Sequence, residues 1–287
     1  MPELPEVESL ASDLRVRLAG RAVARVIPVA LSALKTYDPP PDALVGSFVD
    51  GVQRHGKFLD LEIGGLHLVT HLARAGWLRW HQQVPVTLPR PGRSALALRV
   101  VLDDESGFDL TEAGTRKSLA VYVVRDPAHV PGIARLGPDP MADDFTVEAL
   151  ATILETAGRA QVKGVLRDQS IIAGIGNAYS DEILHVARMS PFKPASAITG
   201  DDMRTLHAAI GSTLQDAVTR SSGLAASELK REKKSGLRVH GRTGERCPVC
   251  DDTVREVSFA DSSLQYCPTC QTGGKPLADR RTSKFLR

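Results

Sequence analysis

CPVCDDTVREVSFADSSLQYCPTC, residues 247–270, contains all four cysteines of a 287-residue chain. Cys247 and Cys250 form one C-x-x-C pair and Cys267 and Cys270 the other, with sixteen residues between them. Two such pairs at this separation can close a tetrahedral thiolate site around Zn²⁺. Redox dithiols are the competing reading, but these need a βαβ setting that the flanking sequence does not offer. No further cysteine exists to build a disulfide framework, in keeping with a reducing cytoplasm. Four thiolates leave no open coordination position, so the zinc is expected to be structural.

Charge gathers around this stretch. Residues 228–287 hold 13 Lys+Arg against 8 Asp+Glu, whereas residues 1–227 hold 23 against 26. The formal net charge of +2 therefore conceals a basic C-terminal end, as expected where a chain meets a polyanion. A solvated face gives the same signal. The basic run ELKREKKSGLR (228–238) is expected to be a mobile lead into the cysteine pairs.

Upstream, TVEALATILETA (146–157), GVLRDQSII (164–172) and NAYSDEILHVAR (177–188) place apolar residues at three- and four-residue steps. They read as helices, and T-G-D-D (199–202) reads as a capping box before MRTLHAAIGSTLQDAV. In AGIGNAYSDE (173–182), Gly174 and Gly176 permit a tight turn into a helix beginning near Asn177. A helix N-terminus there suits a phosphate, although such turns also join helices for structural reasons alone. Residues 125–145 carry four prolines and two glycines and read as a linker.

The first 125 residues read as β-rich after one helix, roughly Glu6 to Leu18. FLDLEI and LHLVTHL flank Gly64-Gly65, a hairpin signature. ALALRVVL (95–102) and LAVYVV (119–124) add strands, and an antiparallel sandwich is the natural architecture. The length suits two domains, and no stretch approaches the roughly 20 apolar residues of a membrane span. A cytoplasmic protein is expected.

The chain opens MPELPEVESL. Methionine is normally trimmed before a small residue such as proline, which would leave Pro2 first. An α-amino group titrates near 8 rather than near 10.4, so a terminal proline offers more uncharged amine than a lysine does. It could attack an aldehyde or a sugar C1′ to give an iminium, with Glu3 shuttling protons. The competing reading is a protected, solvated end, and these ten residues alone favour it. Lys57, in RHGKFLDL (54–61), is a strand-end charge unless the fold brings it to Pro2.

Taken in order, PELPEVE, RHGKFL, HLARAG, LGPDP, KGVLRDQSIIAGIGNAYSDE and VHGRTGERCPVC…YCPTCQ closely resemble the formamidopyrimidine-DNA glycosylase and endonuclease VIII family across nearly the whole chain. The resemblance implies an α+β protein with an N-terminal β-sandwich (2–125), a linker (126–145), a helix-two-turn-helix domain (146–238), a zinc-finger β-hairpin (239–273) and a basic tail (274–287). It implies a monomeric, nucleoid-associated base-excision-repair enzyme, with damaged double-stranded DNA lying in a cleft between lobes. Pro2 would attack C1′, expel the base and form a Schiff base; Glu3 would serve as general acid and base, and Lys57 would hold the reacting nucleotide's phosphate. Glu6 matches the second acid of the N-terminal motif. Lys163 and Asn177 match residues that grip the DNA backbone, and His71 matches one near the cleft phosphates. The target nucleotide would be flipped out of the stack.

Three departures accompany the match. HLARAG has Arg74 where the guanine-lesion branch usually has methionine. The block that normally supplies an inserted arginine and phenylalanine reads TEAGTRKS, which leaves Arg74 or Arg116 to fill part of the gap; the stretch 223–239 is also shorter than that branch's lesion-capping loop. Specificity for 8-oxoguanine is therefore left open. Ser262 replaces the finger arginine credited with helping the second elimination, so β-elimination is expected to survive and δ-elimination to weaken; Arg280 and Arg281 could bind phosphate instead. A non-catalytic damage binder is the alternative function.

Overall fold

The computed structural model describes residues 1–87, 94–260 and 262–278; Arg280 and Arg281 lie outside this range. The chain divides into two compact units, Met1–Leu136 with Ser221–Lys230, and Gly137–Arg220 with Arg231–Arg287. Residues 221–230, expected within the helical domain, thus pack with the first unit.

In the first unit, α1 (Leu4–Leu18) buries Leu4, Val7, Leu10, Ala11, Leu14 and Leu18, the three- and four-residue stripe of an amphipathic helix. It starts two residues before the expected Glu6. The reason is a capping box: the Glu3 side chain accepts from the Glu6 amide while Glu6 Oε2 accepts from the Glu3 amide at 2.8 Å. Pro5 lies in the first turn, where no backbone donor is required.

Eight strands follow: β1 (Val23–Pro28), β2 (Val49–His55), β3 (Phe58–Ile63), β4 (Leu66–His71), β5 (Gly76–His81), β6 (Leu96–Leu102), β7 (Gly107–Glu112) and β8 (Ala120–Val124). They form two antiparallel four-stranded sheets, ordered β1-β6-β7-β5 and β2-β3-β4-β8. The β3–β4 hairpin turns at Gly64 (φ 56°) and Gly65 (φ 76°), with Ile63 opposite Leu66, as the Gly-Gly signal predicts. Leu59, Leu61 and Ile63 of β3, Leu98, Val100 and Leu102 of β6, and Val121 and Val123 of β8 alternate into one buried core with α1. Val69, Val124 and Val130 form a smaller cluster with Phe58 and Ile133.

In the second unit, α2 (Val147–Ala157) is capped by Thr146, whose hydroxyl accepts from the Ala149 amide. The next expected helix is shorter than its apolar pattern: α3 (Val162–Arg167) ends before Asp168. Asp168 Oδ1 accepts from the Ser170 amide (2.9 Å) and hydroxyl (2.6 Å), and this local turn outcompetes continuation of the helix. After α4 (Asn177–Val186) and α5 (Gly200–Ser221), the basic segment expected to be mobile is the helix α6 (Leu229–Gly236). Its Leu229 is buried, and Lys230 Nζ lies 4.5 Å from the Trp77 ring within the first unit. Lys233 Nζ lies 4.6 Å from the Tyr179 ring within the second.

The strands β9 (Arg255–Ser258) and β10 (Ser263–Tyr266) form the antiparallel hairpin between the cysteine pairs, followed by α7 (Pro268–Thr272). Val257, Leu264 and Tyr266 cluster beneath it with Phe192 and Leu277. Among the described residues, no helix is long and apolar enough to cross a membrane.

Candidate active site and nucleic-acid interface

Pro2 and Glu3 are buried at the start of α1, and the Glu3 carboxyl sits at the positive end of that helix. Lys57 is 7% exposed and follows Gly56 (φ 55°) in the tight turn between β2 and β3, the strands on which α1 packs. Arg54, on β2, fastens the two elements together. Its Nε reaches Glu8 Oε2 of α1 at 2.8 Å, and its Nη1 donates to the Gly56 carbonyl at 3.3 Å. Arg15 Nε adds a bond to the Val52 carbonyl at 2.7 Å and its Nη1 pairs with Glu8. Burial pushes the Glu8 carboxyl up, but Arg54 and Arg15 outweigh it and hold the group below its ordinary value. Neither Glu8 nor Arg54 is singled out by the sequence, because an exposed-looking helix acid and a strand arginine carry no signal until the turn beside Lys57 is in place.

His71, at the end of β4, stands opposite Phe58 with ring centroids 4.7 Å apart. Burial, helped by the charge of Lys57, lowers it to about 4, so it is neutral at physiological pH. Arg74 and Arg116 are both exposed, in the β4–β5 and β7–β8 loops. The two loops leave the same paired end of β5 and β7, where the Ala113 amide donates to the Ala75 carbonyl at 3.3 Å. In the first loop Gly76 must be glycine, since a Cβ would lie 2.0 Å from the Leu72 carbonyl oxygen. In the second, Glu112 Oε1 accepts from the Ser118 (2.7 Å) and Leu119 (2.9 Å) amides.

In the second unit the turn before α4 is pinned by Gln169. Its Oε1 accepts from the Gly174 amide (3.0 Å) and its Nε2 donates to the Ile175 carbonyl (2.7 Å). Gly174 is left-handed at φ 86°, whereas Gly176 is the extended N-cap. Asn177 opens α4 at its positive end; its Nδ2 donates to the Ser263 carbonyl of the finger hairpin at 2.7 Å. Its Oδ1 is buried without a hydrogen-bond partner among the described residues.

Lys163, expected to grip the DNA backbone, is tied to α4 within its own unit. It is 4% exposed, and its ammonium donates to Asp181 Oδ1 (2.6 Å), Ser180 Oγ (2.7 Å) and the Asn177 carbonyl (3.2 Å). A buried lysine needs such acceptors to remain charged, and these are supplied by α4 rather than by solvent. Asp181 Oδ2 also holds His240 Nδ1 (2.7 Å) and the Gln265 amide (3.2 Å). Glu182 accepts from the amides of Arg238 (2.7 Å), Val239 (2.9 Å) and His240 (2.8 Å). Burial pushes its carboxyl up against the opposing pull of these three donors.

The four cysteine sulfurs lie within 4.8 Å of one another, and all four cysteines are free of disulfides. Cys247 and Cys270 are 3.8 Å apart, and Cys250 and Cys267 3.3 Å. A tetrahedron with Zn–S bonds of about 2.3 Å has edges of about 3.8 Å, so this donor set fits the metal. Burial pushes Cys267 up to about 11 and raises Cys270 further. Adjacent buried thiolates are strongly disfavoured without a cation, and a dication removes that penalty. Zn²⁺ held by Cys247, Cys250, Cys267 and Cys270 is therefore a structural ion.

Comparison with known proteins covers both units. Residues 1–121 match the "Formamidopyrimidine-DNA glycosylase N-terminal domain", residues 136–228 the "Formamidopyrimidine-DNA glycosylase H2TH domain" and residues 244–273 the "Zinc finger found in FPG and IleRS". A formamidopyrimidine-DNA glycosylase of Symbiobacterium thermophilum is 35% identical, over 98% of this chain and 93% of that protein. An uncharacterized formamidopyrimidine-DNA glycosylase-like protein of Mycobacterium tuberculosis is 58% identical over 56% of this chain and 99% of its own length. Among solved structures, MutM in complex with carbocyclic 8-oxo-G containing DNA superposes with a TM-score of 0.82 at 26% identity, covering 94% of this chain and 100% of that one. Lactococcus lactis Fpg with an abasic site containing DNA gives the same TM-score and identity, covering 94% and 99%.

Proposed function

The chain belongs to the formamidopyrimidine-DNA glycosylase family, and from this we infer that it is a base-excision-repair DNA glycosylase that also cleaves the strand at the resulting abasic site. Once Met1 is removed, the Pro2 amine attacks C1′ of the damaged nucleoside, the C1′–N bond breaks and the base leaves with a proton; the C1′–O4′ bond then opens, O4′ taking a proton, to give the iminium. The iminium so formed has no N–H to lose and draws the electrons of the elimination. Glu3 moves the protons of ring opening and of elimination. Lys57 holds the phosphate beside the reacting sugar, and neutral His71 offers that region a hydrogen bond without a second positive charge.

One observation carries this reading. The terminus bearing Pro2 and Glu3 and the turn bearing Lys57 belong to one unit and are fastened through Glu8, Arg54 and the Gly56 carbonyl. In the second unit, Asn177 at the N-terminus of α4 holds a backbone phosphate, and Lys163 positions that helix instead of touching DNA. Arg74 and Arg116, exposed on loops that leave the same end of β5 and β7, fill the gap of a flipped nucleotide in this reading. In this reading the protein works as a monomer, since one chain carries the nucleophile, the phosphate contacts and the finger, and its four free cysteines suit a reducing cytoplasm.

The test is borohydride trapping on an abasic-site duplex, using protein whose N-terminal mass shows a free Pro2. A covalent adduct mapping to the N-terminal peptide is expected, reduced in Pro2→Gly and Glu3→Gln. Without borohydride, the early 3′ ends should be β-elimination products, as Ser262 in place of arginine implies. Tight duplex binding with no adduct would make the protein a damage binder and overturn the enzyme reading.

A further inference from the structure

One face of α4 docks the zinc finger along its whole length. Asn177, Asp181 and His185 recur at four-residue steps, so they stack on one side of the helix, with Glu182 beside them. Asn177 holds the Ser263 carbonyl, Asp181 the Gln265 amide, and Glu182 the amides that lead into the first cysteine pair. The last rung reaches the metal site itself. His185 is 2% exposed, and its Nε2 lies 3.3 Å from Cys247 Sγ.

The metal chemistry gives this contact a purpose. Four thiolates around a dication, two of them on the buried Cys247 and Cys267, leave a net double negative charge, and hydrogen bonds to sulfur disperse it. Cys247 is faced by a side chain of another element, α4. A thiolate offers only lone pairs, so the tautomer facing it carries the proton on Nε2. The rest of the ring agrees, because Nδ1 is buried with no hydrogen-bond partner among the described residues. An imidazole kept with one nitrogen unsatisfied is not placed there for packing alone, since an apolar ring would fill the space without that penalty.

We propose that His185 is an outer-sphere partner of the zinc site, donating Nε2–H to the Cys247 thiolate, and that it retards metal loss while fastening the finger to α4. The assignment rests on the zinc reading of the four cysteines. Outer-shell partners of this kind typically change metal affinity 10- to 100-fold.

The experiment follows zinc release from full-length protein, carrying one zinc per chain, into excess chromogenic chelator. His185→Phe keeps a flat ring but has no donor, whereas His185→Gln can place an amide N–H near the same position. Release is expected to be about 10- to 100-fold faster in His185→Phe and within about 3-fold of the parent in His185→Gln. Equal rates in the parent and His185→Phe would overturn the proposal, as would equal loss in both variants, which would mean that the ring only fills space. Should His185→Phe fail to fold, the parent protein loaded with NMR-active cadmium decides. An imidazole Nε2–H resonance scalar-coupled to the metal through sulfur supports the bond, and an uncoupled imidazole overturns it. Absence of zinc from the parent would instead bring down the metal reading itself.

Discussion

At the residue scale, the environment of a side chain decides what its chemistry can be. His71 and Lys57 share a buried corner, and burial first, then the lysine charge, lowers the histidine to about 4. In the unfolded chain a histidine titrates near 6.5. Between these values the unfolded state binds the extra proton, so stability rises with pH from about 4 to 6.5, is complete above 6.5, and is lost as pH falls through the window. Urea unfolding at pH 4.5 and 6.5 should therefore show a larger loss on acidification in the parent than in His71→Gln. Equal losses would mean that His71 is hydrated and charged at pH 4.5. Above pH 6.5 the two should run parallel, because a neutral ring contributes no further slope.

At the scale of elements, α4 organises the second unit. Its N-terminus carries Asn177, its buried acids hold Lys163 and the 238–240 backbone, and its C-terminal end meets Cys247. Glu182 is the sharpest test of that role. A carboxylate accepts from three amides at once, whereas the amide of Glu182→Gln would turn N–H groups toward one of those donors. Loss of charge-assisted bonds to a buried group costs about 2 kcal/mol. Equilibrium denaturation should therefore find Glu182→Gln less stable by about that amount. A change below about 0.5 kcal/mol would show that the 238–240 segment is held by its other contacts.

For the whole molecule, binding should follow the phosphate count. A protein that reads DNA chiefly through backbone contacts loses affinity steeply with salt, with a logarithmic slope of about −0.9 for each phosphate neutralised. Titration against an abasic-site duplex is expected to give a slope of about −3 or steeper. Removing zinc with a chelator should flatten that slope and weaken binding, because Asn177 is tied to Ser263 of the finger hairpin. A nearly flat salt dependence in the zinc-loaded protein would reject the phosphate-based reading. No effect of zinc removal would show that α4 keeps its N-terminal geometry without the finger.

The sequence by itself determined what depends on local order along the chain. The spacing of the four cysteines marked the zinc site, the Gly64-Gly65 turn set the β3–β4 register, and the three- and four-residue apolar steps marked α1, α2 and α4. The motif blocks likewise named Pro2, Glu3, Lys57 and Asn177 as expected site residues, through the family they resemble. Only the tertiary structure decided what a side chain meets across the chain. It set Lys163 against Asp181, gave the 228–238 run a helix, and brought Glu8 to Arg54 and His185 to Cys247. These pairs lie 18, 46 and 62 residues apart in the chain. Helix and strand periodicities repeat within a few residues, so they carry no information at that range; burial and charge pairing do, and both exist only once the chain has packed.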